Sequence, residues 1–127
     1  FNLVALSNLG SLYEQEGMEE RAAEYRALVE SHRKRNPYFR FYTAGEAFVA
    51  GDYEAAIGHL KYAIRKRDDE PRFYSLLSLS YLMSGDQAAA RRWMEKAEAV
   101  AGQSADPAAD RQKYHHKLEW LMSQGSR

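Results

Sequence analysis

The side chains best equipped for chemistry cluster late in the chain, at His115, His116 and Glu119. Neighbouring residues on a helix point about 100° apart, so only His115 and Glu119, four apart, share a face. Two ligands fall short of the three protein donors that a catalytic zinc requires, and the spacing argues against a metal centre. The chain has no cysteine, which removes thiol catalysis, disulfides and thiolate metal sites. Its serines fall inside stretches of helical periodicity. No strand-turn-helix elbow offers a nucleophile and no glycine-rich loop offers a phosphate cradle. The sequence predicts no catalytic residue, no metal and no cofactor.

Recognition chemistry is better supplied. Tyr38, Phe39, Phe41, Tyr42, Phe48 and Val49 fall in one short stretch whose only charges are Arg40 and Glu46. A helix apolar on most sides is buried on most sides, or presents a surface to a partner. Tyr38, Phe41 and Tyr42, near the helix start, are the candidates for such a surface, and Phe48 and Val49 fit a core equally well. The 18 Lys and Arg balance the 18 Asp and Glu, so no global field attracts nucleic acid and binding must come from a local patch. His32-Arg33-Lys34-Arg35 and Arg65-Lys66-Arg67 recur at matching places, as expected of cations at the negative ends of two helices. No apolar run approaches the roughly 20 residues that span a bilayer, so membrane insertion is not expected.

The elements that would position these residues are set by a repeat. Gly17, Gly51 and Gly85 stand 34 residues apart. Ala22, Ala56 and Ala90 each follow their glycine by five, and Gly10, Ala44 and Ser78 each precede it by seven. Pro37 and Pro71 keep the same interval. Each glycine closes one apolar-periodic helix and small residues open the next, so each unit is a helical hairpin. Leu6, Leu9, Leu12 and Tyr13 recur at helical spacing and mark the first helix, while Tyr25, His59 and Trp93 share one position on the second helices and could form a column of rings. Asp106-Pro107 then starts a seventh helix whose stripe of Tyr114, Leu118 and Leu121 suits a cover for the end of the stack. Trp120 falls off that stripe, free to stand exposed or to fold onto Lys113 and Lys117.

Leu9-Gly10, Tyr13, Gly17 and Ala22 in the first unit, and Leu77-Ser78, Tyr81, Gly85 and Ala90 in the third, resemble the tetratricopeptide repeat. The middle unit is looser at Thr43-Ala44 and Ala47 and close from Gly51 to Ala63. The first departs at Arg26, where neighbouring Tyr25 supplies the large residue. The resemblance implies an all-α, right-handed superhelix of three hairpins at about 3–36, 37–70 and 71–104, a capping helix at about 107–123 and a disordered tail at 124–127, forming one domain over 1–123.

The same resemblance implies that the first helices line a concave groove. Carried over position by position, the groove residues are Ser7 and Ser11 in the first unit, Tyr38, Phe41 and Gly45 in the second, and Arg72, Ser75 and Leu79 in the third, with Tyr42 beside them. Where some family members grip a C-terminal carboxylate, this chain has Ser7, Ser11, Tyr42, Arg72 and Leu76. Only Arg72 keeps a cation, so that clamp is not expected. The implied function is a non-enzymatic module that binds a peptide or protein segment. The rivals are a regulatory or scaffolding tail of a larger bacterial enzyme, such as one with a transglutaminase-like domain, and an RNA-binding helical repeat, which the charge balance disfavours. The chain begins at Phe1 rather than Met and reads as a fragment of a longer protein.

Overall fold

A computed structural model describes residues 3–103 and 106–125. Seven helices follow one another: α1 Leu3–Gln15, α2 Glu19–Arg35, α3 Pro37–Val49, α4 Tyr53–Lys66, α5 Pro71–Met83, α6 Gln87–Ala101 and α7 Pro107–Gly125. The described residues contain no strand. α1 pairs with α2, α3 with α4 and α5 with α6, while α7 packs on α6.

One turn is built three times. Gly17, Gly51 and Gly85 take φ of 75°, 82° and 95°, the left-handed region where a side chain is strained. Around each, two crossed hydrogen bonds close the helix end. The Gly51 N–H donates to Phe48 O at 3.0 Å and the Asp52 N–H to Ala47 O at 2.8 Å, and the same pair recurs at Gly17–Met18 and Gly85–Asp86. Asp52 and Asp86 then cap the following helices, accepting from the N–H groups of Ala55 and Ala89 at 3.2 and 3.0 Å. Met18 stands at the equivalent place in the first hairpin and gives no side-chain cap.

The two helices of each hairpin approach closely because small residues face each other. Gly10 lies against Ala22 and Tyr25, where an added Cβ would meet Tyr25 Cβ at 3.5 Å. Ala44 and Ala56 are buried in one cluster with Leu60 and Leu77, flanked by Phe41, Phe48 and Trp93. Ser78 is buried and donates its hydroxyl to the Ala90 carbonyl. A second cluster joins Tyr74, Met94, Ala97, Val100 and Ala101 to Tyr114, Leu118 and Leu121 of α7.

Packing is therefore concentrated in the C-terminal half. α2 touches α3 much less than α4 touches α5. Leu9 and Leu12, spaced as one apolar face, are 38% and 51% exposed, because no described helix covers that side of α1. The expected column of rings also fails to form, since each ring pairs within its own hairpin. Tyr25 stacks on Tyr13 at 5.4 Å, Trp93 stacks on Tyr74 at 6.0 Å, and His59 meets Arg40. Gln124 and Gly125, expected in a disordered tail, continue α7, because no helix breaker precedes Gly125. Ser126 and Arg127 lie outside the described residues.

Nothing lies within 4 Å of a Cβ added at Gly51, so substitution there is penalised by backbone conformation rather than by a clash. Gly51→Val is expected to lower stability by about 1–2 kcal/mol, and Gly51→Asn by less, since Asn tolerates the left-handed region. Urea midpoints check this; a Val variant as stable as the parent would remove the conformational argument.

Candidate binding groove

α3 touches α5 directly, so these first helices lie side by side and their exposed residues share one face. Asn36 starts α3 by accepting the Tyr38 N–H at 2.9 Å, with Pro37 at the first helical position. Glu70 starts α5 in the same way, accepting the Arg72 N–H at 3.3 Å. These caps fix the first turns of both helices, from which Tyr38 and Arg72 project.

Between them lies an aromatic platform. Phe73 is fully buried, with its ring centre 5.4 Å from those of both Tyr38 and Phe41. Phe41 sits 5.8 Å from Tyr42, which is 64% exposed. The Arg72 guanidinium lies over Tyr38 at 5.8 Å and over Phe41 at 5.5 Å, and Arg67 approaches Tyr38 at 5.5 Å. Glu70 ties the arrangement together, taking Arg72 Nη2 at 2.7 Å and the Tyr38 hydroxyl at 3.5 Å. Burial alone would push the Glu70 carboxyl up, but the Arg72 hydrogen bonds and charge, helped by the Tyr38 hydroxyl, hold it below its ordinary range. Arg72 is correspondingly raised, chiefly by its hydrogen bond to Glu70.

Arg72 thus enters the face already paired, and sequence reasoning missed both Glu70 and Phe73. An acid directly before Pro71 and two residues before Arg72 was the available signal, because an N-cap side chain turns toward the first turn of its own helix. Phe73 carried none, since nothing local separates an inward ring from an outward one.

The other candidates divide. Gly45 is half-buried on α3, with open space where a Cβ would stand. Ser75 is buried at 4% exposure, covered by Lys117 of α7, whose Nζ donates to Ser75 Oγ at 3.2 Å. Leu79 lines a cavity of about 260 Å³ with Met94, His116, Lys117 and Trp120. Ser7 and Ser11 line a different depression of about 320 Å³ between α1 and α2, with Glu14, Tyr25 and Arg26. Phe48 packs beside the core and meets Tyr53 at 5.5 Å, whereas Val49 is 87% exposed. Trp120 is half-exposed, and Lys113 and Lys117 lie on the Tyr114 ring instead.

His115 faces Glu98 through Nδ1 and Glu119 through Nε2, each at 3.1 Å, so the ring ties α7 to α6. Among the described residues no cluster of three or more metal-ligating side chains occurs. Behind the platform, Arg40 occupies the repeat position held by Leu6 and Tyr74 in the other units. Its Nη1 donates to His59 Nδ1 at 2.8 Å and its guanidinium stacks over Tyr62 at 4.2 Å. The bond requires an unprotonated Nδ1, because arginine only donates. Burial first, and then the Arg40 charge, hold His59 below its usual range, partly offset by Asp52.

No family model and no curated protein matches the chain. Solved structures do. PcrH, a Pseudomonas aeruginosa protein solved with the chaperone-binding region of PopD, aligns with a TM-score of 0.70 at 21% identity, over 97% of this chain and 92% of its own. The Yersinia enterocolitica type III secretion translocator chaperone SycD gives 0.67 at 22%, over 98% and 86%. The first tetratricopeptide domain of RPAP3, bound to an HSP90 peptide, gives 0.56 at 14%, over 92% and 93%. The chain therefore has the tetratricopeptide-type fold, an all-α superhelix of helical hairpins.

The Arg40–His59 contact makes stability depend on pH. A histidine whose folded pKa is lowered stabilises the fold above its unfolded value, and that contribution is lost as pH falls from about 6.5 toward the folded value. Melting temperature should drop between pH 7.5 and 5.5 more for the parent than for His59→Gln, which keeps an acceptor but cannot charge. Parallel curves would show that the bond survives protonation.

Proposed function

We propose that this chain is a non-enzymatic protein-interaction module that takes an extended or helical segment of a protein partner on the face formed by α1, α3 and α5. Tyr38, Phe41, Tyr42 and Arg72 form its centre, with Gly45 leaving room for a ligand side chain. Ser75, acting through Lys117, and Leu79 extend it toward α7, and Ser7 and Ser11 mark the far end. The observation that carries the reading is Tyr42, a largely exposed ring resting on the packed platform of Phe41, Phe73 and Tyr38, beside an oriented arginine. Aromatic and arginine side chains held rigid in this way dominate binding energy in interfaces. Support also comes from two structures of the same fold solved with a bound peptide or protein region. A regulatory tail of a larger enzyme would use the same surface, with its occupant supplied by its own chain.

Peptides selected from a displayed random library on the immobilised chain provide the test. Tyr42→Ala should shift stability by no more than about 0.5 kcal/mol, as an exposed residue does. The selected peptides should lose about tenfold or more in affinity for it. Phe41→Ala should cost more stability, because its ring packs on Phe73, yet less than the roughly 3–5 kcal/mol of a fully buried phenylalanine. Undiminished binding by Tyr42→Ala would place the binding surface elsewhere.

A further inference from the structure

α7 does more than cover the end of the stack. Its Lys117 reaches α5, donating to Ser75 Oγ at 3.2 Å, and the same ammonium lies 4.9 Å from the centre of the Tyr114 ring. Lys113 Nζ sits 5.4 Å from that ring. Among the described residues no carboxylate pairs with either lysine, whereas Arg72 is matched by Glu70. Burial, and then the charge of Lys113, hold the Lys117 ammonium below the usual lysine range. Tyr114 is raised by burial first and then by the Glu70 charge, opposed by Arg72, so α7 and the start of α5 share one electrostatic neighbourhood.

A partly desolvated ammonium whose one hydrogen-bond acceptor among the described residues is a neutral hydroxyl is an unfavourable arrangement, which an incoming carboxylate reverses. One of the three Lys117 donors is engaged by Ser75, leaving two. The position of the charge is equally informative. Arg72, Ser75 and Leu79 stand on successive turns of α5, with Lys117 at the middle one. On one side is the aromatic platform, and on the other the cavity of about 260 Å³ walled by Leu79, Met94 and Trp120.

We propose that this end of the face is a subsite for an apolar–acidic pair in the partner segment, the apolar side chain entering the Leu79–Trp120 cavity and an adjacent aspartate or glutamate meeting Lys117, reinforced by Lys113. The proposal rests on the reading of this face as a peptide groove. Lys117 stands between two apolar surfaces, so a segment lying on both passes over it in mid-chain. The carboxylate is accordingly a side chain and not a chain terminus.

The experiment uses the full chain and the library-selected peptides described above. Selection should enrich an acidic residue beside a large apolar one. For a synthetic peptide of that type, replacing its Glu by Gln should weaken binding to the parent about tenfold, while amidating its C-terminus should change little. Lys117→Met, which keeps the aliphatic stem, should bind the Glu and Gln peptides alike, and Lys117→Arg should restore the preference. An unchanged melting temperature for Lys117→Met excludes a folding defect, and Lys113→Met serves as the milder variant should Lys117→Met unfold. Binders that depend on Tyr42 but neither carry nor need a side-chain carboxylate overturn this assignment and leave the groove reading standing. A preference abolished by amidation shifts the assignment to a terminal carboxylate and overturns it as well. Absence of any Tyr42-dependent binder overturns both.

Discussion

The two backbones of each hairpin come together where small residues face each other, and much else follows from that contact. Gly10 against Ala22, Ala44 with Ala56, and Ser78 bonded to the Ala90 carbonyl bring the backbones together at one height in each unit. Close approach raises the number of dispersion contacts and excludes water from both helices over several turns. It also fixes which residues remain on the outside of the first helices. Tyr38, Phe41 and Tyr42 fall within one sector of α3, while Ala44 turns toward α4. The left-handed glycine turns set the length at which each hairpin folds back, so the small residues meet in register.

Stability is distributed unevenly along the stack, and the distribution suits a binding surface. Two apolar clusters cover the second and third hairpins and α7, with Ile64 and Trp93 touching both. The first hairpin adds few buried side chains, lacks a side-chain cap on α2 and leaves apolar residues of α1 uncovered. Repeat arrays derive stability from hairpin interfaces as well as from the hairpins themselves, so a weak α2–α3 interface leaves the first unit the least anchored. The aromatic platform stands on the well-packed part, where rings held by neighbours lose little freedom on meeting a ligand.

Charge is arranged by the same logic. Exposed ion pairs such as Arg26–Glu14 and Arg91–Glu95 contribute little, because water and salt screen them. Polar groups with more consequence are partly buried. Glu70 joins Arg72 and Tyr38 across the α3–α5 boundary, and Arg40 reaches His59 at the place where Tyr74 stacks on Trp93 in the third unit. One buried Arg40 atom, Nε, has no hydrogen-bond partner among the described residues. The middle hairpin therefore accepts polar strain that the third avoids by stacking Tyr74 on Trp93.

The repeat period, the three glycine turns and a seventh helix after the third hairpin were legible in the sequence, because each depends on residues close together in the chain. A positive φ favours glycine wherever it occurs, and a helix start needs only the next turn of its own helix. Tertiary structure alone decided which periodic stripes found a neighbour. Leu9 and Leu12 have the spacing of a buried face and stay exposed, since periodicity marks a face without supplying its partner. The same distinction separates Phe48, which packs beside the core, from Val49, which does not. It also put the Tyr38 hydroxyl on Glu70 and Lys117 over Ser75, pairings set by how neighbouring helices lean together. Helix and turn formation is local physics that the sequence determines by itself, whereas burial and pairing belong to contacts between segments far apart in the chain, which exist only once the hairpins have stacked.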